Sequence, residues 1–141
     1  MKISYLDIED FRRLCYEFAQ AQLSFKEPIP NFESASEEAV KSILLQPKQT
    51  FDKKPLYKTL EDKAAILFYL FIKNHPFANG NKRVALVTLF VFLALNNKWL
   101  KTSSKNIYLF ALEVANSKAE EKNETIEKIK KFVSDNCSLK Q

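Results

Sequence analysis

His75-Pro76-Phe77-Ala78-Asn79-Gly80-Asn81-Lys82-Arg83, running into the apolar stretch Val84–Leu95, is the part of this 141-residue chain from which the rest can be read. It holds the only histidine and the only glycine of the sequence, where average usage would give about ten glycines. A single glycine marks a place where the backbone must turn or approach something closely. Pro76 cannot continue a helix and pushes His75 toward an extended conformation, so one helix is expected to stop near Asn74 and the next to begin near Asn81. Val84 to Leu95 is apolar except for Thr88. That run is too short to cross a bilayer and too uninterrupted for a surface helix, which makes it the central buried helix of a bundle. The amides of Gly80, Asn81 and Lys82 would then lie unpaired at a helix start, where the dipole favours anions and phosphate above all. Lys82 and Arg83 are two cations at the wrong end of a helix unless an anion joins them, and Arg83 offers a planar fork for two phosphate oxygens. His75, a few residues upstream, is the side chain best suited to take a proton near neutral pH. An anion cradle beside a base is equipment for moving a phosphorus-containing group onto a hydroxyl. The plainer reading keeps His75 as a surface or capping residue, Asn79 and Asn81 as helix caps, and Lys82 as a solvated first-turn lysine.

HPFANGNKR closely resembles the active-site motif of the Fic/Doc family, written HxFx(D/E)GNxxR-like, and in particular its Doc (death-on-curing) branch, in which lysine follows the Gly-Asn pair, as Lys82 does here. The resemblance extends upstream through Thr50-Phe51, Pro55-Leu56-Tyr57, Lys63-Ala64-Ala65 and Ile72-Lys73-Asn74, and downstream through Val84–Asn97, so that it covers about half the chain. It implies that His75 deprotonates a hydroxyl of a protein target. It also implies that Gly80, Asn81, Lys82 and Arg83 hold the phosphates of ATP; Phe77 is counted with them, although a ring at this place more often anchors the loop in the core. The family's acidic ligand for Mg2+ falls on Asn79, whose amide carries no charge and is a poorer ligand for a hard cation, so that metal binding is weakened or lost. The second arginine of the Fic form falls on Leu86, as in Doc-like sequences.

Further expectations follow from the resemblance. Residues Thr50, Phe51, Lys53, Lys54 and Tyr57 form a flap that pairs with an extended segment of the target; Phe51 and Tyr57 could equally tuck their rings under the loop. The Lys82 form goes with transfer of the terminal phosphate, with elongation factor Tu as the suggested target, and AMP transfer is the alternative. The chain would be a toxin silenced by a separate antitoxin chain. Its nearest match to an inhibitory (S/T)xxxE(G/N) pattern, Ser117 with Glu121, is followed by Lys122 where Gly or Asn is needed. A catalytically impaired module that binds nucleotide or partner is the other class of function compatible with Asn79.

Composition bounds the rest. Hydrophobic residues make up 46% of the chain and include 12 phenylalanines, enough for one real core, while one glycine and five prolines argue against an all-β protein. The fold class is therefore all-α: a single domain over 1–141, a helical bundle with a central buried helix and a short flap. Cys15 and Cys137 show no metal-ligand spacing, and two cysteines without a secretory leader read as reduced thiols of a cytoplasmic protein. The net charge of +5 comes from scattered lysines, many beside Asp or Glu, with only Arg12, Arg13 and Arg83 as arginines. No basic stripe forms, so neither direct nucleic-acid binding nor a membrane role is expected.

Along the chain, Tyr5 to about Ser24 is expected as the first helix, capped by Asp7, with Phe11, Leu14, Cys15, Phe18 and Ala19 facing inward. Lys26 to Phe32, with Pro28 and Pro30, is an extended connection. Ser34 with Glu37 has capping-box spacing for a second helix that ends before Pro47 and buries Ala39, Val40, Ile43 and Leu44. Residues 47–58 are a loop. Thr59 with Asp62 opens the helix Leu60 to Lys73, with Ala64, Leu67, Phe68 and Phe71 on one face. The central helix breaks after Asn96-Asn97. Helices near Ser104–Asn116 and Glu124–Val133 close the bundle, with Leu109, Leu112, Ile126, Ile129 and Phe132 inward.

Overall fold

The computed structural model describes residues 2–23, 27–32 and 34–139, and the architecture is helical, with two very short antiparallel ladders. The first helix, α1, spans residues 8–22 and is π-helical over Phe11–Tyr16. It begins at Ile8 and not at Tyr5, because the Asp7 carboxylate accepts the Asp10 amide at 2.8 Å and so marks the boundary. The π turn carries one extra residue, which shifts the phase of the buried stripe. Phe11, Cys15, Tyr16 and Ala19 are buried, whereas Phe18, expected in the core, is rotated off the stripe and is 53% exposed. The Cys15 thiol is pushed up to about 12 by burial, partly offset by the Thr88 hydroxyl, and serves as core filling. Ser24 and Lys26, the expected helix end and start of the connection, lie outside the described residues.

Residues 27–32 run without helical structure, as two prolines require, and are fastened to α1. The Tyr16 hydroxyl donates to the Pro30 carbonyl, and Gln20 Nε2 donates to the Ile29 carbonyl at 3.1 Å. Helix α2 (Ser34–Leu45) buries Val40, Ile43 and Leu44. Ala39, expected inward, is exposed, since it lies about 100° around the helix from Val40. The expected Ser34–Glu37 capping box lies outside the described residues.

The segment read as a loop contains a hairpin. After a 3-10 turn at Gln46–Lys48, β1 (Thr50–Phe51) pairs with β2 (Lys54–Pro55), Thr50 opposite Pro55 and Phe51 opposite Lys54. Asp52 and Lys53 both take positive φ, 53° and 65°, giving the two-residue turn whose twist suits a hairpin. Phe51 does not tuck under: it is 78% exposed, because alternation on so short a strand leaves nothing beneath it.

Helix α3 (Leu60–Lys73) opens with the expected capping box: Thr59 Oγ1 accepts the Asp62 amide at 3.0 Å and the Asp62 carboxylate accepts the Thr59 amide at 3.1 Å. Its last turn is tied down by Lys73 Nζ, which donates to the carbonyls of Ser117 at 2.6 Å and Ala115 at 3.2 Å. Helix α4 (Asn81–Leu95) follows, with Val84, Ala85, Leu89, Phe92 and Leu93 fully buried. It breaks at Asn96 and at Asn97, which has φ 64°. The buried Asn96 amide donates to the carbonyls of Ser4 and Phe92 and accepts the Ser4 amide, pinning the start of the chain to the end of α4.

A ladder absent from the sequence reading comes next: β3 (Lys98–Leu100) pairs with β4 (Cys137–Leu139), the segment that leaves the last helix. Helix α5 (Ser104–Asn116) is capped by Ser103, and α6 (Lys122–Asn136) runs longer at both ends than expected. Inward residues of α5 are Ile107, Ala111 and Val114, so Leu109, two positions from Ile107, points outward and is half exposed. Phe110 and Phe132 stack face to face across α5 and α6 with centroids 4.3 Å apart. Among the described residues, no helix is long and apolar enough to cross a membrane.

Candidate functional site

Phe77 decides where the loop between α3 and α4 sits. Its ring is buried among Phe11, Tyr16 and Phe32, with centroids 6.3, 4.8 and 6.1 Å away. Its amide donates to Asn81 Oδ1 at 3.0 Å and its carbonyl accepts from Asn81 Nδ2 at 2.9 Å. Phe77 is thus placed as the loop's anchor and faces the core, away from any nucleotide. Asn81 clasps it with both ends of its side chain, which fixes that side chain on Phe77.

The reversal from α3 into the core takes place within two residues, and this corrects the expectation for His75. The residue is left-handed, φ 46°, and not extended, because a helix whose last turn is pinned by Lys73 must reverse at once for Phe77 to reach the core. A non-glycine residue in that region before a proline is strained by about 1–2 kcal/mol. The His75 ring is exposed at the end of α3.

Gly80 is the N-cap of α4 at φ 83°, and no side chain caps the helix. A Cβ on it would lie 2.7 Å from Ile29 Cγ1, so both the positive φ and the close approach account for the sole glycine. Asn79 serves this turn. Its Oδ1 accepts the Gly80 amide at 2.9 Å and its Nδ2 donates to the Pro28 carbonyl at 3.2 Å. The Gly80 amide, expected to be open, is therefore occupied. Among the described residues, the first-turn amides without a capping side chain are those of Asn81, Lys82 and Arg83, since Val84 already bonds the Gly80 carbonyl.

These amides open onto a cavity of about 970 Å³ between α1, α4 and α5, lined by Asn79, Gly80, Asn81, Lys82 and Arg83 at one end. Arg83 donates through Nη1 to the Leu23 carbonyl at 2.6 Å, and its other donors are not used by any described residue. Neither Lys82 nor Arg83 forms an ion pair among the described residues. Glu27 is the one carboxylate in the described lining. The remainder is apolar and aromatic, with Phe18, Leu86, Phe90, Tyr108 and Leu112 among it. One end can hold an anion and the other a flat or apolar body.

The structure therefore brings five of the expected site residues, Asn79 to Arg83, onto one wall. His75 and Phe77 are not part of that wall, and neither are the hairpin residues Thr50, Phe51, Lys53, Lys54 and Tyr57. Four of these five are exposed, and Tyr57 is half-buried, its phenol pushed up by burial. Ser117 and Glu121 line a separate, smaller cavity of about 390 Å³ with Glu113, Glu124 and Lys128.

Two features were missed in the sequence. Phe18 lines the cavity because of the π turn, which no local signal announced. Lys63, only 5% exposed, donates through Nζ to the Tyr57 carbonyl and so moors the foot of the hairpin to α3. Burial pushes its pKa down, partly offset by Asp62. Its position one turn before the buried Leu67 could have betrayed it.

Residues 5–93 match the model of a family described as Fic/DOC. No curated protein and no solved structure matches the chain.

Proposed function

The chain belongs to the Fic/DOC family, and from that premise we propose that it is a nucleotide-dependent transferase acting on a hydroxyl of another protein. The observation that carries this reading is the wall itself. Two cations with no ion-pair partner among the described residues, and three first-turn amides without a capping side chain there, line a cavity large enough for a nucleotide. The cations are unfavourable at that end of the dipole unless a polyphosphate joins them.

In this reading Lys82, Arg83 and the amides of Asn81 to Arg83 hold the phosphates, while the apolar end takes the nucleoside. His75, exposed at the rim of the loop, takes the proton of the incoming hydroxyl, and the exposed edge of the Thr50–Pro55 hairpin presents the target segment. ATP is the donor. Transfer of the terminal phosphate is the first choice because lysine stands at position 82, and transfer of AMP is the runner-up. Doc-like toxicity, elongation factor Tu as the target and a separate antitoxin belong to the same proposal.

The test is incubation of the protein and a bacterial extract with ATP labelled at the α or the γ phosphate, alongside His75→Ala. Label from the γ position only, with a mass gain of one phosphate, supports phosphorylation. Label from the α position with a gain of AMP supports nucleotidyl transfer. A signal that survives His75→Ala would sink the role given to the histidine. A second reading, a nucleotide- or partner-sensing module without turnover, draws on Asn79, whose side chain is engaged by Gly80 and Pro28. Tight ATP binding with no label transferred would favour it.

A further inference from the structure

We infer that this site takes its polyphosphate as the metal-free anion, and that Asn79 is a fastener of the loop, not a cation ligand. The inference rests on the phosphate reading above and concerns what balances the charge. The motif of the family implies a divalent cation. Mg2+ requires oxygen ligands, of which one or two are usually carboxylates. Asn79 offers a single carbonyl oxygen, and that oxygen already accepts the Gly80 amide at 2.9 Å. Its nitrogen donates to the Pro28 carbonyl at 3.2 Å, which fixes the orientation of the amide. Turning the oxygen outward to a cation would break both bonds and aim the amide nitrogen at the Gly80 N–H. Asn81 has both ends of its side chain on Phe77. Glu27 is exposed, lies outside the motif, and is the only described carboxylate on the lining. Among the described residues, no group of three or more His, Cys, Asp or Glu is placed to hold a metal ion. The described donors of this wall do not suit magnesium.

They do suit a bare polyphosphate. Lys82 and the guanidinium of Arg83 supply two fixed positive charges, and the first-turn amides add the helix end. Magnesium bound to a triphosphate cancels two of its negative charges and occupies oxygens that these donors would otherwise reach. The cation should therefore compete with the protein for the ligand. In a site built around an acidic ligand the sign is opposite, because the metal bridges two anionic partners.

The experiment is calorimetric titration of the whole chain with ATP, and separately with inorganic tripolyphosphate, in EDTA and in excess Mg2+ at constant ionic strength. The expected result is binding in EDTA that magnesium weakens about two- to fivefold. Asn79→Asp should reverse the sign, binding about tenfold more tightly with magnesium than without, since it adds the missing carboxylate. Wild-type binding that requires magnesium, or is strengthened by it, overturns this inference and leaves the transferase reading standing. Absence of binding by ATP and tripolyphosphate under both conditions overturns the phosphate reading, and this inference with it. The wild-type comparison decides the matter even if the Asn79→Asp chain fails to fold.

Discussion

Replacing Gly80 by alanine tests the geometry of the loop more directly than any other single change. Two costs are separable. At φ 83° an L-residue is strained by about 1–2 kcal/mol relative to glycine. The new methyl would also lie 2.7 Å from Ile29 Cγ1, 3.3 Å from Ile29 Cδ1 and 3.4 Å from Arg83 Nη2. Ile29 is buried and its carbonyl is held by Gln20, so it has little room to withdraw. Overpacking of this kind costs about 1–3 kcal/mol, and the two effects together come to about 2–5 kcal/mol. For a chain of this length the melting temperature should fall by about 6–15 °C, at about 3 °C per kcal/mol. Urea unfolding of Gly80→Ala, Ile29→Ala and the double variant separates the terms. Truncating Ile29 removes both of its contacting atoms, so in that background Gly80→Ala should cost only the backbone part, about 1–2 kcal/mol. A cost for Gly80→Ala below about 1 kcal/mol in the wild-type background, or an equal cost in both backgrounds, would refute the packing argument.

Asn81→Ala removes the clasp on Phe77 and leaves a half-buried amide and carbonyl unpaired; the expected loss is about 2–4 kcal/mol in urea unfolding. A loss confined to nucleotide affinity would instead mark Asn81 as a ligand residue only. Phe51→Ser should change stability by less than about 0.5 kcal/mol, since the ring is exposed, yet it should lower modification of a protein target under the proposed role of the hairpin. Equal labelling of the target by both forms would count against that role. The Asp62–Lys130 pair, 2.7 Å apart, links α3 to α6. Burial alone would raise the Asp62 carboxyl, but hydrogen bonds from Lys130 and from Thr59 outweigh it and hold its pKa below the ordinary 3.8, while the bond to Asp62 raises Lys130 above 10.5. A lowered carboxylate stabilises the fold above its unfolded value, and that contribution disappears as pH falls through the folded one. Asp62→Asn should therefore cost about 1 kcal/mol at pH 7, with the difference from wild type closing as pH falls below 3.8 and through the lowered folded value. A difference that persists in acid would show that the effect is packing. The raised Lys130 works in the other direction, its contribution being complete below pH 10.5 and lost as pH climbs through its folded value.

Some of this could be settled locally. The apolar run after Arg83 was legible as a helix with a buried face, but not as a helix buried all round: Phe90 and Leu95 are 36% and 40% exposed, and Leu86 and Phe90 line the cavity. The Thr59–Asp62 box depends on atoms three residues apart, so the start of α3 was legible without a fold. The nine residues from His75 to Arg83 carried the resemblance to the family as a consecutive motif, and the helix start with two cations beside it was legible for the same local reason.

Only the folded chain could decide the rest. Whether Asn79 faces a metal or a neighbour depends on Pro28, 51 residues away, whose carbonyl orients the amide. Ile29 crowds any side chain at Gly80, and Leu23 takes one arm of Arg83, both through approaches that no nearby residue predicts. Phe18 lies on the helical stripe by spacing and leaves it because a π turn inserts one residue. Local signals act through bonds and short hydrogen-bonded rings, so they are visible in order along the chain. The assignment of an individual side chain to core, ligand or clasp follows from which distant backbone arrives beside it, and that is a property of the packed structure.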